Sequence, residues 1–194
     1  MTPEELNRQA RVVDQMLSMH SALRDRYARR AKCLTLGVLG CSVVLCTVTF
    51  LPDDALGFMG VSPFANRVIV GVLSSLVFFL SLVDLCVAWG KASWRHGEAA
   101  ETLAKFKHRY RTAISAGTVA TGDGAELTRE FGQVMAALCP IPDKQFASLK
   151  AYHLRKVRLS QMIDAHAGCP VWWLRLRLVW EGVFGRKDRE GQNQ

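Results

Sequence analysis

The sequence predicts an all-α membrane protein: a two-transmembrane helical hairpin with a cytoplasmic N-terminal helix and a C-terminal helical bundle. Three observations carry that class. Cys33 to Leu51 contains no charged residue over 19 positions. Val68 to Gly90 is longer and carries one charge, Asp84. The segment between them, Pro52 to Arg67, holds Pro, Gly, Asp and Asn, the composition of a turning loop. Each run can cross a hydrocarbon core about 30 Å thick at about 1.5 Å per residue. Hydrocarbon offers the backbone no hydrogen-bond partner, so such a run must be helical there. A buried helix of a soluble protein explains one apolar run, and two runs joined by a short polar loop much less well.

Charge sets the expected orientation. Residues 1–32 hold seven Lys/Arg against four Asp/Glu, 52–66 hold two Asp and no base, and 91–194 hold seventeen bases against ten acids. Short basic flanks are retained on the inner side, which places both termini in the cytoplasm and the acidic loop outside. The chain therefore divides into a cytoplasmic amphipathic helix (1–32), a first transmembrane helix (33–51), a short extracytoplasmic loop (52–67), a second transmembrane helix (68–90), a cytoplasmic helical region (91–170), and a Trp-rich interfacial segment with a polar tail (171–194). No cleavable signal peptide is expected, because 32 charged-rich residues precede the first apolar run. The net charge of +8 suits anionic lipid, and no aromatic-basic motif supports DNA or RNA as a partner.

Taken in order, Thr2-Pro3-Glu4-Glu5 forms a capping box. Leu6, Ala10, Val13 and Leu17, then Leu23 and Tyr27 after a break at His20–Ser21, recur at helical spacing and need a partner surface. In the first span Cys33, Gly37 and Cys41 lie four apart, and small residues at that spacing predict close helix packing within or between protomers. In the second span Ser74, Ser81 and Asp84 share an arc of roughly 80° at about 100° per residue. That stripe is either a hydrogen-bonded packing seam or a lining for water when several hairpins assemble. An acid in the membrane costs about 2.5–3.5 kcal/mol at mid-bilayer and less nearer the end, so Asp84 needs water or a cation such as Lys91 or Lys32.

The helix is expected to continue through Lys91 to Ser115 with a stripe of Leu103, Phe106, Tyr110 and Ile114, and with Trp94 as an interfacial anchor. Gly117 to Gly124 reads as a loop, Ala125 to Leu138 as a shorter helix, and Cys139-Pro140-Ile141-Pro142 as a stop. Asp143 then caps a helix to about Ala167, with Phe146, Leu149, Leu154, Val157 and Met162 as its apolar positions. On it Lys150, His153, Arg155 and Lys156 are candidates for holding an anionic ligand, since charge-assisted hydrogen bonds suit phosphate. Anchoring to headgroups is the simpler role for the same charges. Val171 to Phe184 alternates like a strand over Leu174–Leu178, but three Trp and two Arg favour an interfacial helix.

Enzymatic motifs are absent: there is no Gly-rich phosphate loop, His-Glu-x-x-His or Gly-x-Ser-x-Gly. His96, His108, His153 and His166 are spread along helices with basic neighbours, and Glu98 and Glu101 share a charged face. The six cysteines form no Cys-x-x-Cys pair and read as small packing residues, so no metal and no cofactor is expected.

Trp94-Arg95-His96-Gly97-Glu98-Ala99-Ala100, and Ile141-Pro142-Asp143 with Phe146, Leu149, His153, Lys156, Leu159 and Ser160, resemble the SLATT family. These are bacterial two-transmembrane effector domains found beside SMODS nucleotidyltransferases and SLOG-type sensors. The resemblance covers roughly residues 5 to 170 and does not extend to the tryptophan-rich tail. It implies a homo-oligomeric, pore-forming or membrane-disrupting effector in the bacterial inner membrane. It further implies a cyclic oligonucleotide signal, or a nucleotidyltransferase or sensor partner, as trigger. A membrane-anchored scaffold and a housekeeping channel subunit are the rival classes.

Overall fold

A helix of 47 residues, α1 (Pro3–Thr49), carries the N-terminal amphipathic segment and the first apolar run without interruption. Known from a computed structural model, the fold is described for residues 3–52, 60, 62–115, 123–166 and 168–184. Among the described residues the helices that follow are α2 (Pro63–Val87), α3 (Trp89–Ser115), α4 (Asp123–Ala137), α5 (Asp143–Ala165) and α6 (Val171–Phe184). Among the described residues there is no strand. The alternation at Leu174–Leu178 is therefore helical. The Thr2 cap, Asp53 and Asp54 of the acidic loop, residues 117–122, Ala167 and the tail from 185 lie outside the described residues.

Three boundaries differ from the sequence reading, each for a local reason. The second long helix starts at Pro63, inside the segment assigned to the loop. Ser62 is its cap in extended geometry and accepts a hydrogen bond from the Ala65 amide at 3.2 Å, while Pro63 fills the first helical position, where an N–H is not missed. The junction after the second run is not a continuous helix. Ala88 adopts the left-handed conformation (φ 47°, ψ 46°), its N–H bonding to Asp84 O at 3.1 Å, and α3 restarts at Trp89. Asp143 is the first residue of α5 and not its cap; Pro142 holds that position without a side-chain bond, and the acid instead sits in the first turn, where the helix dipole favours it.

The core lies between the amphipathic half of α1 and α3. Partners count up along α1 as they count down along α3: Asp14 pairs with Lys107, His20 meets His96, and Arg24 O accepts from Ser93 Oγ at 3.0 Å. The two helices are thus antiparallel. Val13, Leu103, Phe106, Tyr110 and Leu127 form one buried cluster, which adds α4 to the pair. Met19, Leu23 and Leu149 form a second, packed on by Ile141, which adds α5. Arg109–Glu130 at 2.7 Å and Arg26–Gln145 at 3.1 Å tie the same two joints at their rims. Helix α6 reaches the rest mainly through α5 and buries Leu174. Of the stripe expected on α3, Ile114 is 46% exposed and lies beyond the core.

Beyond Arg30 the character changes. The second half of α1 lies against α2. Its less exposed residues, Leu34, Val38, Cys41, Ser42, Leu45 and Val48, recur three to four apart and mark the face turned to α2. Leu36, Leu39, Val43, Phe78, Phe79 and Leu85 are exposed. These two helices are long and apolar enough to cross a membrane, and among the described residues none in their most apolar stretches is fully buried.

Truncating Leu103, fully buried in the α1–α3 seam, should destabilise the detergent-solubilised protein by about 2–5 kcal/mol. Ile114→Ala, outside that seam, should change stability by less than about 0.5 kcal/mol. Thermal melts followed by helical circular dichroism compare them, and equal losses would contradict the assigned core.

Candidate functional site

Three groups of polar residues stand out against this frame. The first is the stripe on α2. Ser74, Ser81 and Asp84 are all exposed and border the face that α1 covers. The hydroxyls of Ser74 and Ser81 donate to Val70 O and Val77 O, each at 2.8 Å, so neither needs a donor-acceptor partner on another helix. Asp84 makes no ion pair with Lys32 or Lys91 in this single chain. On α1, Cys33 and Gly37 are exposed and Cys41 is half-buried at the edge of the α2-facing side. A Cβ built at Gly37 meets nothing within 4 Å, so within one chain no backbone comes close there.

The second group is the basic side of α5. Lys150, Arg155 and Lys156 are exposed and His153 is half-buried, with its Nδ1 enclosed and unpaired. Helical rotation divides the four. Arg155 and Lys156 line a cavity of about 710 Å³ between α5 and α6, together with Tyr152, Ser160 and Arg175. Lys150 and His153 do not line it. Leu159, Ile163, Val171, Leu178 and Val179 supply its apolar wall. The cavity therefore presents three cations beside an apolar surface, which suits a ligand with anionic and flat or apolar parts. The sequence pattern could not pair Arg175 with Arg155, because they sit on different helices.

The third group is buried between α1 and α3. His20 comes from α1, His96 from α3, and Cys139 from the turn that follows α4. His20 Nδ1 and His96 Nδ1 lie 3.1 Å apart. Cys139 Sγ lies 3.2 Å from His96 Nδ1 and 3.9 Å from His20 Nδ1, and donates toward Arg95 O at 3.8 Å. Tyr27 stacks on the His96 ring at a centroid separation of 5.7 Å. Burial, and then the neighbouring His96, lower the pKa of His20 to about 4; burial also lowers that of His96 and raises that of the Cys139 thiol. Both rings and the thiol are thus neutral near pH 7.

Periodicity had treated His20 as a break in the α1 stripe. It is a core position: Met16, His20, Leu23 and Tyr27 follow helical spacing, as do His96, Ala99, Leu103 and Phe106 on α3. One histidine at a core register on each of two antiparallel helices was the available signal. The family-like segment 94–100 supplies much of this seam, since His96, Ala99 and Ala100 are buried and Gly97 faces Arg24. A second cavity, about 870 Å³ along the same seam, mixes Arg24 and Lys105 with Glu98 and Glu101 and concentrates neither sign.

At Gly97 an added Cβ would meet only the flexible Arg24 side chain, at 3.4 Å from Cδ. Gly97→Ala should therefore stabilise α3 by about 0.5–1 kcal/mol through lost unfolded-state freedom. The melting temperature checks this, and a fall would mean that Arg24 is held too firmly to yield.

Comparison of the chain with known protein families, with characterised proteins and with solved structures finds no match.

Proposed function

We propose that this chain is the protomer of an oligomeric membrane effector of a bacterial antiphage or other conflict system. On this reading it makes the inner membrane leaky when an anionic nucleotide signal, or a partner protein, engages its helical half. The observation that carries the proposal is the division of one molecule into two unlike halves. Two long helices expose uncharged apolar surface around most of their girth, while Ser74, Ser81 and Asp84 form one polar line along α2. One pair of helices cannot enclose a water path, but a ring of such pairs can, with that line turned inward. Cys33 is exposed and Gly37 has no atom near its Cβ position, so both are available for contact between protomers. The resemblance of segments 94–100 and 141–160 to SLATT effectors supports the same class. The cation-rimmed α5–α6 cavity supplies the place for an anionic trigger, and a change in how α5 sits on α1 would alter the packing of the spans.

A membrane-anchored scaffold has one observation in its favour: Phe146, Leu154 and Val157 of α5 are exposed and could dock a helical partner. Conductance separates the two readings. Purified protein in planar bilayers should conduct on addition of cyclic oligonucleotides, and Asp84→Asn should change ion selectivity without changing oligomer size. A change in assembly with unaltered selectivity would make Asp84 a packing residue. Silence of the wild-type protein across the whole panel would favour the scaffold.

The trigger has its own check. Replacing Arg155 and Lys156 together by Glu inverts two of the three cavity cations, and should abolish nucleotide binding by calorimetry while the melting temperature holds. Heat uptake equal to that of the wild-type protein would remove this cavity from consideration.

A further inference from the structure

The buried trio between α1, α3 and the turn after α4 has the donor set of a metal centre. We propose that His20, His96 and Cys139 bind one zinc ion, which clamps these three segments together. The residues are 76 and 43 positions apart in pairs, yet their ligand atoms all lie within 4.8 Å of one another. Zinc–nitrogen bonds of about 2.0–2.1 Å and a zinc–sulfur bond of about 2.3 Å put tetrahedral ligands roughly 3.3–3.4 Å apart for N···N and about 3.6 Å apart for N···S. The N···N edge is 3.1 Å, and the two N···S edges, 3.2 and 3.9 Å, straddle the required value.

The surroundings suit a borderline divalent ion. Both imidazoles are held neutral by burial, which is the ligating form. Two nitrogens and one sulfur favour zinc over magnesium or calcium, which prefer oxygen. Stacking on Tyr27 fixes the plane of the His96 ring. Burial disfavours the Cys139 thiolate without an ion, so binding converts the thiol to a thiolate and releases one proton to solvent. Cys139 is half-buried, so the fourth coordination position is reached from its side by water or a small anion. Without metal, the same atoms form a plain hydrogen-bonded trio, which would bind nothing. The site stands apart from the pore reading and can be tested without it.

The test uses the full-length protein in detergent, stripped with a chelator and titrated with Co²⁺ as a spectroscopic substitute for zinc. One equivalent per chain should give ligand-field bands of tetrahedral intensity and a thiolate-to-cobalt charge-transfer band, both erased by zinc. Outer-shell changes at metal sites weaken binding by about 10–100-fold. Cys139→Ser and His96→Gln, which remove ligands, should each weaken it by more than about 100-fold, and Cys139→Ser should abolish the charge-transfer band. Cys169→Ser should leave both readouts unchanged. A measurement on the unmodified protein guards against variants that fail to fold: zinc should slow alkylation of Cys139, read by peptide mass spectrometry, by at least about tenfold. The proposal is overturned if the wild-type protein shows no thiolate-to-cobalt band, or if zinc leaves Cys139 alkylation unchanged. Cobalt binding by a folded Cys139→Ser protein as tight as wild type would overturn it equally.

Discussion

The antiparallel seam between the amphipathic half of α1 and α3 is the contact on which the other contacts of the polar half depend. Val13 and Phe106 create the surface that receives Leu127 of α4, and Met19 with Leu23 creates the surface that receives Leu149 of α5. Helix α4 brings Phe131, Val134 and Met135 against the first cluster, whereas α5 buries Leu149 while Leu154 and Val157 stay exposed. Buried apolar area is the main favourable term in folding, so α4 and α5 hold their places only while the seam exists. The ion pairs at its rim are a different matter. Lys105–Glu101 and Arg109–Glu130 join largely exposed cations to acids, and such pairs add little beyond register.

Where the polar half meets the apolar half, the two strands of the fold behave differently. Helix α1 passes through unbroken, whereas the other strand is interrupted at Ala88. A left-handed conformation at a non-glycine residue costs on the order of 1–3 kcal/mol and persists only where the surroundings impose it. Here the following residue is anchored: Arg30 of α1 lies over the Trp89 ring at 6.0 Å. Among the described residues, α1 is the helix that runs through both halves without a break.

Much of this was legible in the sequence because it rests on composition and local spacing. The apolar runs, the order of helices, and the stripe Leu103–Phe106–Tyr110 are properties of neighbouring residues, and the fold carries them as all-helical elements. The start at Pro63 was also written locally, in Ser62-Pro63, but the long apolar run beginning at Val68 drew the boundary to itself. Ala88 was not legible: alanine is the best helix former, and the seam with α1, not propensity, overrides it. The trio was hidden for a deeper reason. A histidine at a core register counts as polar in any periodic reading, and only the antiparallel register brings His20 opposite His96. Cys139 joins them through α4, whose placement depends on the same seam. The cavity at Arg155, Lys156 and Arg175 likewise needed the position of α6.

The exposed apolar surface sets the last constraint. Trp172, Trp173, Leu176, Val179 and Trp180 of α6 are exposed, as are Phe78, Phe79 and Leu85 of α2. Large contiguous exposed apolar patches mark interaction sites on proteins. Helix α6 sets two arginines among three tryptophans. Helix α6 meets the rest of the chain mainly through α5, and α5 meets α1 through Leu149 and the Arg26–Gln145 bond. Helix α1 is the one member that continues into an apolar run unbroken. A displacement of α5 would therefore bear on α1 at Met19 and Leu23, next to His20, and an ion held by His20, His96 and Cys139 would stiffen α1 there.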